Sequence, residues 1–141
     1  MQPRPQPHDR FAAEVTLTPD IVGQFARLAG DSNPIHHDPD YVAMTRFKKL
    51  VASGTHTSAL LGALTASHFS QYGAMLGLEF WYQYKRPVFA DETIRLEWLI
   101  VSARPSASLK GYIVDLRGRV VNEVGETAVG AKGRVLVVDQ L

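Results

Sequence analysis

The sequence predicts an α+β fold in which helices come first and an antiparallel sheet follows. Three observations carry that expectation. Between residues 19 and 72, apolar residues recur at three- and four-residue spacing between proline starts and glycine stops. From Met75 onward the spacing falls to two, over four runs long enough to be strands. No strand–helix–strand unit carrying a GxGxxG or P-loop glycine pattern interrupts this order, so a nucleotide-binding βαβ fold is excluded.

The elements follow in turn. "MQPRPQPHDR", residues 1–10, is rich in Pro and Gln and reads as a flexible N-terminal arm ahead of one domain at 11–141. It has no apolar stretch of the kind a secretory signal needs. "AAEVTLTPD" is a short strand that runs into Thr18 as N-cap and Pro19 as first helical residue. The helix that follows places Ile21, Val22, Phe25 and Leu28 at helical spacing and stops at Gly30. After a polar turn broken by Pro34, Asp38 and Pro39 open a short helix. "SGTHTSALLGALTASHFSQYG" is the longest helical segment, ending near Tyr72 and Gly73. Its many Gly, Ala, Ser and Thr residues let other backbone approach closely, which predicts a helix buried and wrapped by sheet. "MLGLEFWYQYKRPVF", "TIRLEWLIVSA", "LKGYIVDLRGRVVN" and "TAVGAKGRVLVVDQ" are the strands, the last two joined by the turn "NEVGE".

Composition narrows the function classes. The chain has 141 residues, enough for one core; 45% are hydrophobic and 21% charged, as in ordinary globular domains. A formal net charge of +1 with Lys and Arg dispersed gives no case for nucleic acid. No apolar run reaches the roughly 20 residues of a membrane span. The absence of cysteine removes disulfides, thiolate nucleophiles and Cys-ligated zinc, and fits a cytoplasmic address.

Two short stretches carry candidate chemistry. "GDSNPIHHD", Gly30–Asp38, puts Asp31 and His36 at opposite ends of a proline-kinked turn, where their side chains can converge on one water or substrate atom. A carboxylate beside an imidazole is the usual pairing for proton transfer near neutral pH. The plainer alternative is that Asp31 and Ser32 cap a helix and His36 is a polar residue at the core edge. In "ASGTH", Ala52–His56, Ser53 or Gly54 opens the long helix. Unpaired N–H groups at a helix start can hold a developing oxyanion, and a glycine leaves room for the approach. Here too the plain alternative is an N-cap serine with a tolerated glycine beside it.

Taken together, "FARLAGDSNPIHHDPDYVAMTRFKKLVASGTHTSALLGAL" resembles the signature of the MaoC-like (R)-specific enoyl-CoA hydratases and dehydratases. The shared pattern is a helix, G-D-x-N-P-[IL]-H-x-D, an alanine-bearing short helix, a phenylalanine, and a small-residue helix opened by glycine. "YQYKRPVFADETI" is similar to the family's later strand F-x-x-P-V-x-x-G-D-T-[IL], with Tyr84 at the Phe position. The resemblance spans about residues 11–138. It implies a single hot-dog fold, a long antiparallel sheet wrapped around the central helix, as a homodimer. It makes Asp31 and His36 the catalytic pair that activates a water for C3 of a trans-2-enoyl thioester and supplies the proton at C2. It makes Gly54 N–H the holder of the thioester oxygen. Asn33, Ser53, Thr55 and His56 become substrate-binding candidates. The substrate implied is an acyl-CoA or acyl-carrier-protein thioester, with no metal and no separate cofactor, CoA being part of the substrate. Ser53-Gly54 stands where the commonest hydratases have His-Gly, and Ala90-Asp91 where the family has Gly-Asp.

The remaining features have structural explanations first. His37 neighbours His36 and should point elsewhere; His68 reads as a packed or surface helix residue. Trp81, Tyr82 and Tyr84 form an aromatic cluster suited to core, dimer interface or acyl-pocket wall. Lys85 and Arg86 read as a solvated strand end, with CoA phosphates as the alternative. A hot-dog thioesterase would place a carboxylate on the long helix, and none stands between Gly54 and Tyr72. A binding subunit without turnover stays open as a non-enzymatic reading.

Overall fold

The computed structural model describes residues 4–141. Strand β1 (Arg10–Thr16) is followed by helices α1 (Pro19–Ala29), α2 (Pro39–Ala43) and α3 (Gly54–Phe69), then strands β2 (Ala74–Tyr84), β3 (Thr93–Ser106), β4 (Gly111–Val121) and β5 (Thr127–Val138). A single 3₁₀ turn, Pro34–His36, separates α1 from α2, and another, Ser70–Tyr72, ends α3. The strands form one antiparallel sheet in the order β1-β3-β4-β5-β2.

Local chemistry sets the boundaries. Thr18 Oγ1 accepts from Ile21 N–H at 3.2 Å and Pro19 supplies the first helical φ, so α1 begins as its sequence directs. Its buried face is Val22, Gly23 and Ala26. Leu28, expected on that face, is 89% exposed. At about 100° per residue it lies some 120° around the helix from Val22 and points to solvent. Asp38 Oδ1 accepts from the N–H groups of Asp40 and Tyr41 and starts α2 in the same way.

Helix α3 lies against the sheet and touches all five strands. Trp98 on β3 is 1% exposed, and its indole N–H donates to Leu61 O on α3 at 2.9 Å. Burying so large an indole with its N–H satisfied contributes about 2–3 kcal/mol. Gly118 on β4 makes room for it: a Cβ there would lie 2.7 Å from Trp98 Cδ2. Around this contact pack Leu61, Phe69, Ile94, Leu96, Val114, Leu116 and Val135.

The sheet covers one face of α3 and leaves the other open. His56, Thr57, Ser58, Leu61, Thr65 and Phe69 are buried, whereas Thr55, Ala59, Ala63, Ala66 and Ser67 are exposed in the single chain. The expectation of a helix buried all round therefore holds for one side. Strand β2 is an edge strand, paired only with β5, with a bulge between Gly77 and Glu79. Leu76, Leu78, Trp81 and Tyr84 stand exposed along it.

Of the arm expected at residues 1–10, residues 1–3 lie outside the described residues. His8 N–H donates to Ile100 O and Ile100 N–H to Asp9 O, both at 2.9 Å, and Pro5 is buried. Arg10 already belongs to β1. No helix among the described residues is long and apolar enough to cross a membrane.

Candidate active site

Asp31 is placed by the end of α1. Gly30 adopts φ 77°, a left-handed conformation that a glycine takes without strain. Gly30 N–H then donates to Arg27 O at 3.1 Å and Asp31 N–H to Ala26 O at 2.8 Å, the two bonds of a Schellman stop. The chain reverses there, and Asp31 Oδ1 accepts from Asn33 N–H at 3.1 Å. Asn33 Oδ1 in turn accepts from Ile35 N–H at 3.3 Å and opens the 3₁₀ turn.

His36 ends that turn with 5% of its surface exposed. The segment from Leu50 to Ala52 holds it. Val51 N–H donates to Ile35 O at 3.0 Å, Ala52 N–H to Val88 O at 2.8 Å, and Ala90 N–H to Leu50 O at 2.9 Å. His36 Nδ1 lies 2.5 Å from Val51 O. A carbonyl oxygen only accepts, so Nδ1 carries a hydrogen and the tautomer is fixed. Nε2 then faces Asp31 Oδ2 at 3.1 Å. An imidazole nitrogen at that distance from a carboxylate oxygen is placed to pass a proton to it or to take one from it.

Ser53 completes the carboxylate's surroundings. It is the N-cap residue of α3 but makes no side-chain cap bond. Its hydroxyl donates to Asp31 Oδ2 at 3.0 Å instead. The Asn33 amide first, then the Ser53 hydroxyl and the His36 and His37 rings, hold the Asp31 carboxyl below its ordinary value against the opposing effect of burial.

Gly54 is the first residue of α3, and no protein acceptor among the described residues meets its N–H. A Cβ at Gly54 would lie 2.9 Å from Tyr84 Cε1, so the aromatic ring covers the helix start. Tyr84 OH donates to Ser58 Oγ at 3.1 Å, and Ser58 donates on to Gly54 O at 3.1 Å. Gly54 and Tyr84 border a cavity of about 450 Å³ lined also by Asn33, His36, Thr57 and Val129, among others. A larger cleft of about 580 Å³, beside Tyr72 and Tyr112 at the far end of α3, has no histidine in its lining.

The structure thus gathers Asp31, His36, Ser53, Gly54 and Asn33. Asn33, His36 and Gly54 line the cavity; Asp31 joins them through its contact with His36, and Ser53 through its bond to Asp31, without lining it. Thr55 and His56 do not reach the cavity. Thr55 is exposed on the outer side of α3. His56 is buried against α1, its ring stacked on Phe25 at 4.2 Å between centroids. Burial there lowers its pKa, and its Nδ1 has no partner. Thr57, which the sequence did not single out, takes the place on the cavity wall. Its signal was available: it stands three residues after Gly54, on the same helix face. His68 is packed, stacked on Phe11 at 3.8 Å.

Lys85 and Arg86 border the same cavity, with Arg86 paired to Glu126 at 3.1 Å.

Known proteins resemble the chain in sequence and in fold. The chain is 28% identical over 109 residues to the (R)-specific enoyl-CoA hydratase of Aeromonas caviae, covering 77% of each chain. It is 38% identical over 56 residues to the 3-hydroxybutyryl-CoA dehydratase of Methylorubrum extorquens, 40% of this chain and 35% of that one. Among solved structures, the unliganded R-hydratase PhaJ1 of Pseudomonas aeruginosa superposes with a TM-score of 0.86 at 25% identity, covering 95% of this chain and 83% of that one. The fold is the hot-dog fold: one antiparallel five-stranded sheet around a central helix. The family model for the MaoC-like domain matches residues 1–121, and the chain belongs to that family of hydratases and dehydratases.

Proposed function

We propose that the protein is a hydro-lyase that reversibly adds water to a trans-2-enoyl-CoA to give an (R)-3-hydroxyacyl-CoA. The observation that carries this reading is the 3.1 Å contact of Asp31 Oδ2 with His36 Nε2, beside the open N–H of Gly54. The proton balance closes for a pair that enters the reaction holding one proton. Water bound at the pair gives its oxygen to C3 and a proton to one member. The proton already held goes to C2. The pair ends as it began, with one proton, and the reverse sequence removes water. As C2 is approached, negative charge gathers on the thioester oxygen, and Gly54 N–H with the positive end of α3 stabilises it.

Thr57 and Tyr84 form walls for the acyl group, and Asn33 shapes the turn. Hydration of a conjugated thioester is redox-neutral and its charge can be met by an amide, so the reading needs no metal or separate cofactor. The homodimer belongs to the same proposal. The exposed apolar residues of edge strand β2 and the exposed alanines of α3 support it.

A dehydratase acting on 3-hydroxyacyl groups of a carrier protein would use the same residues. Similarity to a 3-hydroxybutyryl-CoA dehydratase supports the dehydration direction, on a CoA substrate. Rates with matched CoA and carrier-protein thioesters separate the two.

The test is steady-state hydration of crotonyl-CoA and longer enoyl-CoAs, followed by loss of conjugated-thioester absorbance. Asp31→Asn and His36→Ala should each lower kcat by about 10²–10⁴. Unchanged rates in both, with the fold intact, overturn the proposal, and binding without turnover across chain lengths points to a non-catalytic subunit.

A further inference from the structure

Two adjacent histidines in one turn need an account for the second. His37 lies outside the cavity that His36 lines. It borders a separate cleft on the other side of the turn, with Arg27, Gly30, Asp31 and Asp38. Its Nε2 lies 2.6 Å from the main-chain oxygen of Asp31. That oxygen only accepts, so His37 Nε2 carries the hydrogen and donates it. No backbone N–H among the described residues donates to the same oxygen.

The local backbone explains how neighbours in sequence reach one residue. His36 closes the 3₁₀ turn, while His37 leaves it with φ −125° and ψ −33°. The two rings stand 6.3 Å apart, inclined by 72°. One ring takes the Asp31 carboxylate from the cavity side, and the other takes the Asp31 carbonyl from the outer side. Asp31 is therefore held at both ends of the residue, across a stretch in which Ser32, Asn33 and Pro34 are all exposed.

We propose that His37 is a positioning residue for Asp31, whose imidazole N–H fixes the peptide carrying the carboxylate and so sets the carboxylate's place opposite His36. This rests on the hydratase reading for its kinetic consequence, and on geometry alone for the contact itself. A mispositioning well under an ångström is enough to be felt in a proton-transfer site.

The experiment compares His37→Ala and His37→Gln with the unchanged protein on crotonyl-CoA. The Gln amide keeps an N–H donor of similar reach without the charge. His37→Ala should lower kcat about tenfold with KM within about twofold, because the bond acts on the carboxylate and not on substrate binding. His37→Gln should recover most of that kcat. The acid limb of kcat/KM should move to higher pH in both variants. The groups facing Asp31 are Ser53, His36 and His37, with Arg27 and Asp38 across the outer cleft, and only the His37 charge is removed. Wild-type kcat and an unmoved acid limb in His37→Ala would overturn the proposal, as would a His37→Gln as slow as His37→Ala. Should His37→Ala fail to fold, His37→Gln and the ¹⁵N spectrum of the imidazoles decide. That spectrum also separates the two readings. If the unchanged protein hydrates nothing, the hydratase proposal falls, while a protected His37 Nε2–H still establishes the contact. An unprotected Nε2–H would sink the positioning role whatever the turnover.

Discussion

Replacing Gly54 by Ala separates stability from chemistry at the start of α3. The added methyl would lie 2.9, 3.2 and 3.3 Å from Tyr84 Cε1, Cδ1 and Cζ. Carbon atoms prefer about 3.5–4.0 Å, so the ring must retreat by roughly 0.6–1 Å. Its hydroxyl is tied to Ser58, which resists the movement. Overpacking of this kind costs about 1–3 kcal/mol. Alanine recovers about 0.5–1 kcal/mol through its better helix propensity. The net loss of stability is therefore roughly 0–2.5 kcal/mol. The methyl also enters the space in which a substrate oxygen must approach the amide, and loss of one such donor lowers kcat by about 10²–10³. Crotonyl-CoA hydration and thermal unfolding, measured on the same preparation, should show a folded protein slowed about a hundredfold. Tyr84→Ala serves as control, since it vacates the ring without touching the amide and should be much the less impaired. A folded Gly54→Ala that keeps kcat within about threefold would refute the placement of the thioester oxygen at this amide.

Four further outcomes are expected. Ser53→Ala should lower the unfolding free energy at pH 7 by about 1–2 kcal/mol, because Asp31 loses a hydroxyl donor to its carboxylate while α3 loses no cap. The same variant should move the acid limb of kcat/KM upward, because Asp31 loses a bond that holds its carboxyl below the ordinary value. Gly118→Ala should destabilise by about 1–3 kcal/mol in denaturant titration, because its methyl meets a tryptophan that Leu61 O holds in place. Burial pushes the His68 imidazole below its ordinary value, and its Nε2 has no partner. The unfolded chain therefore takes up that proton first, and stability should fall as pH drops below about 6.5, a loss that His68→Phe reduces in melting curves from pH 7.5 to 5.

The sequence made some of this legible and hid the rest for physical reasons. Thr18-Pro19 and Asp38-Pro39 named their helix starts because caps act within three residues. The strands declared themselves through alternation, and Asp31 and His36 through a turn whose spacing is local. The facing of α3 could not be read. Its apolar residues, Leu60, Leu61, Leu64 and Phe69, begin only in the second turn, so His56 and Thr57 looked equivalent, although one packs on Phe25 and the other borders the cavity. Ser53 looked like a cap because its partner, Asp31, lies 22 residues away. The pairing of β2 with β5 rather than its sequence neighbour β3 was equally hidden, since alternation reports which face is buried and not which strand is alongside.

That last pairing has a consequence for synthesis on the ribosome. Ala74 meets Val138 and Tyr84 meets Val129, so the strand that brings Tyr84 over the helix start finds its partner only when the final stretch of the domain has emerged. The proton-transfer turn can assemble earlier, from neighbours at Val51 and Val88. A nascent or C-terminally clipped chain would thus display the reactive pair with its pocket wall missing and an unpaired, aromatic-rich strand free to stick to other chains.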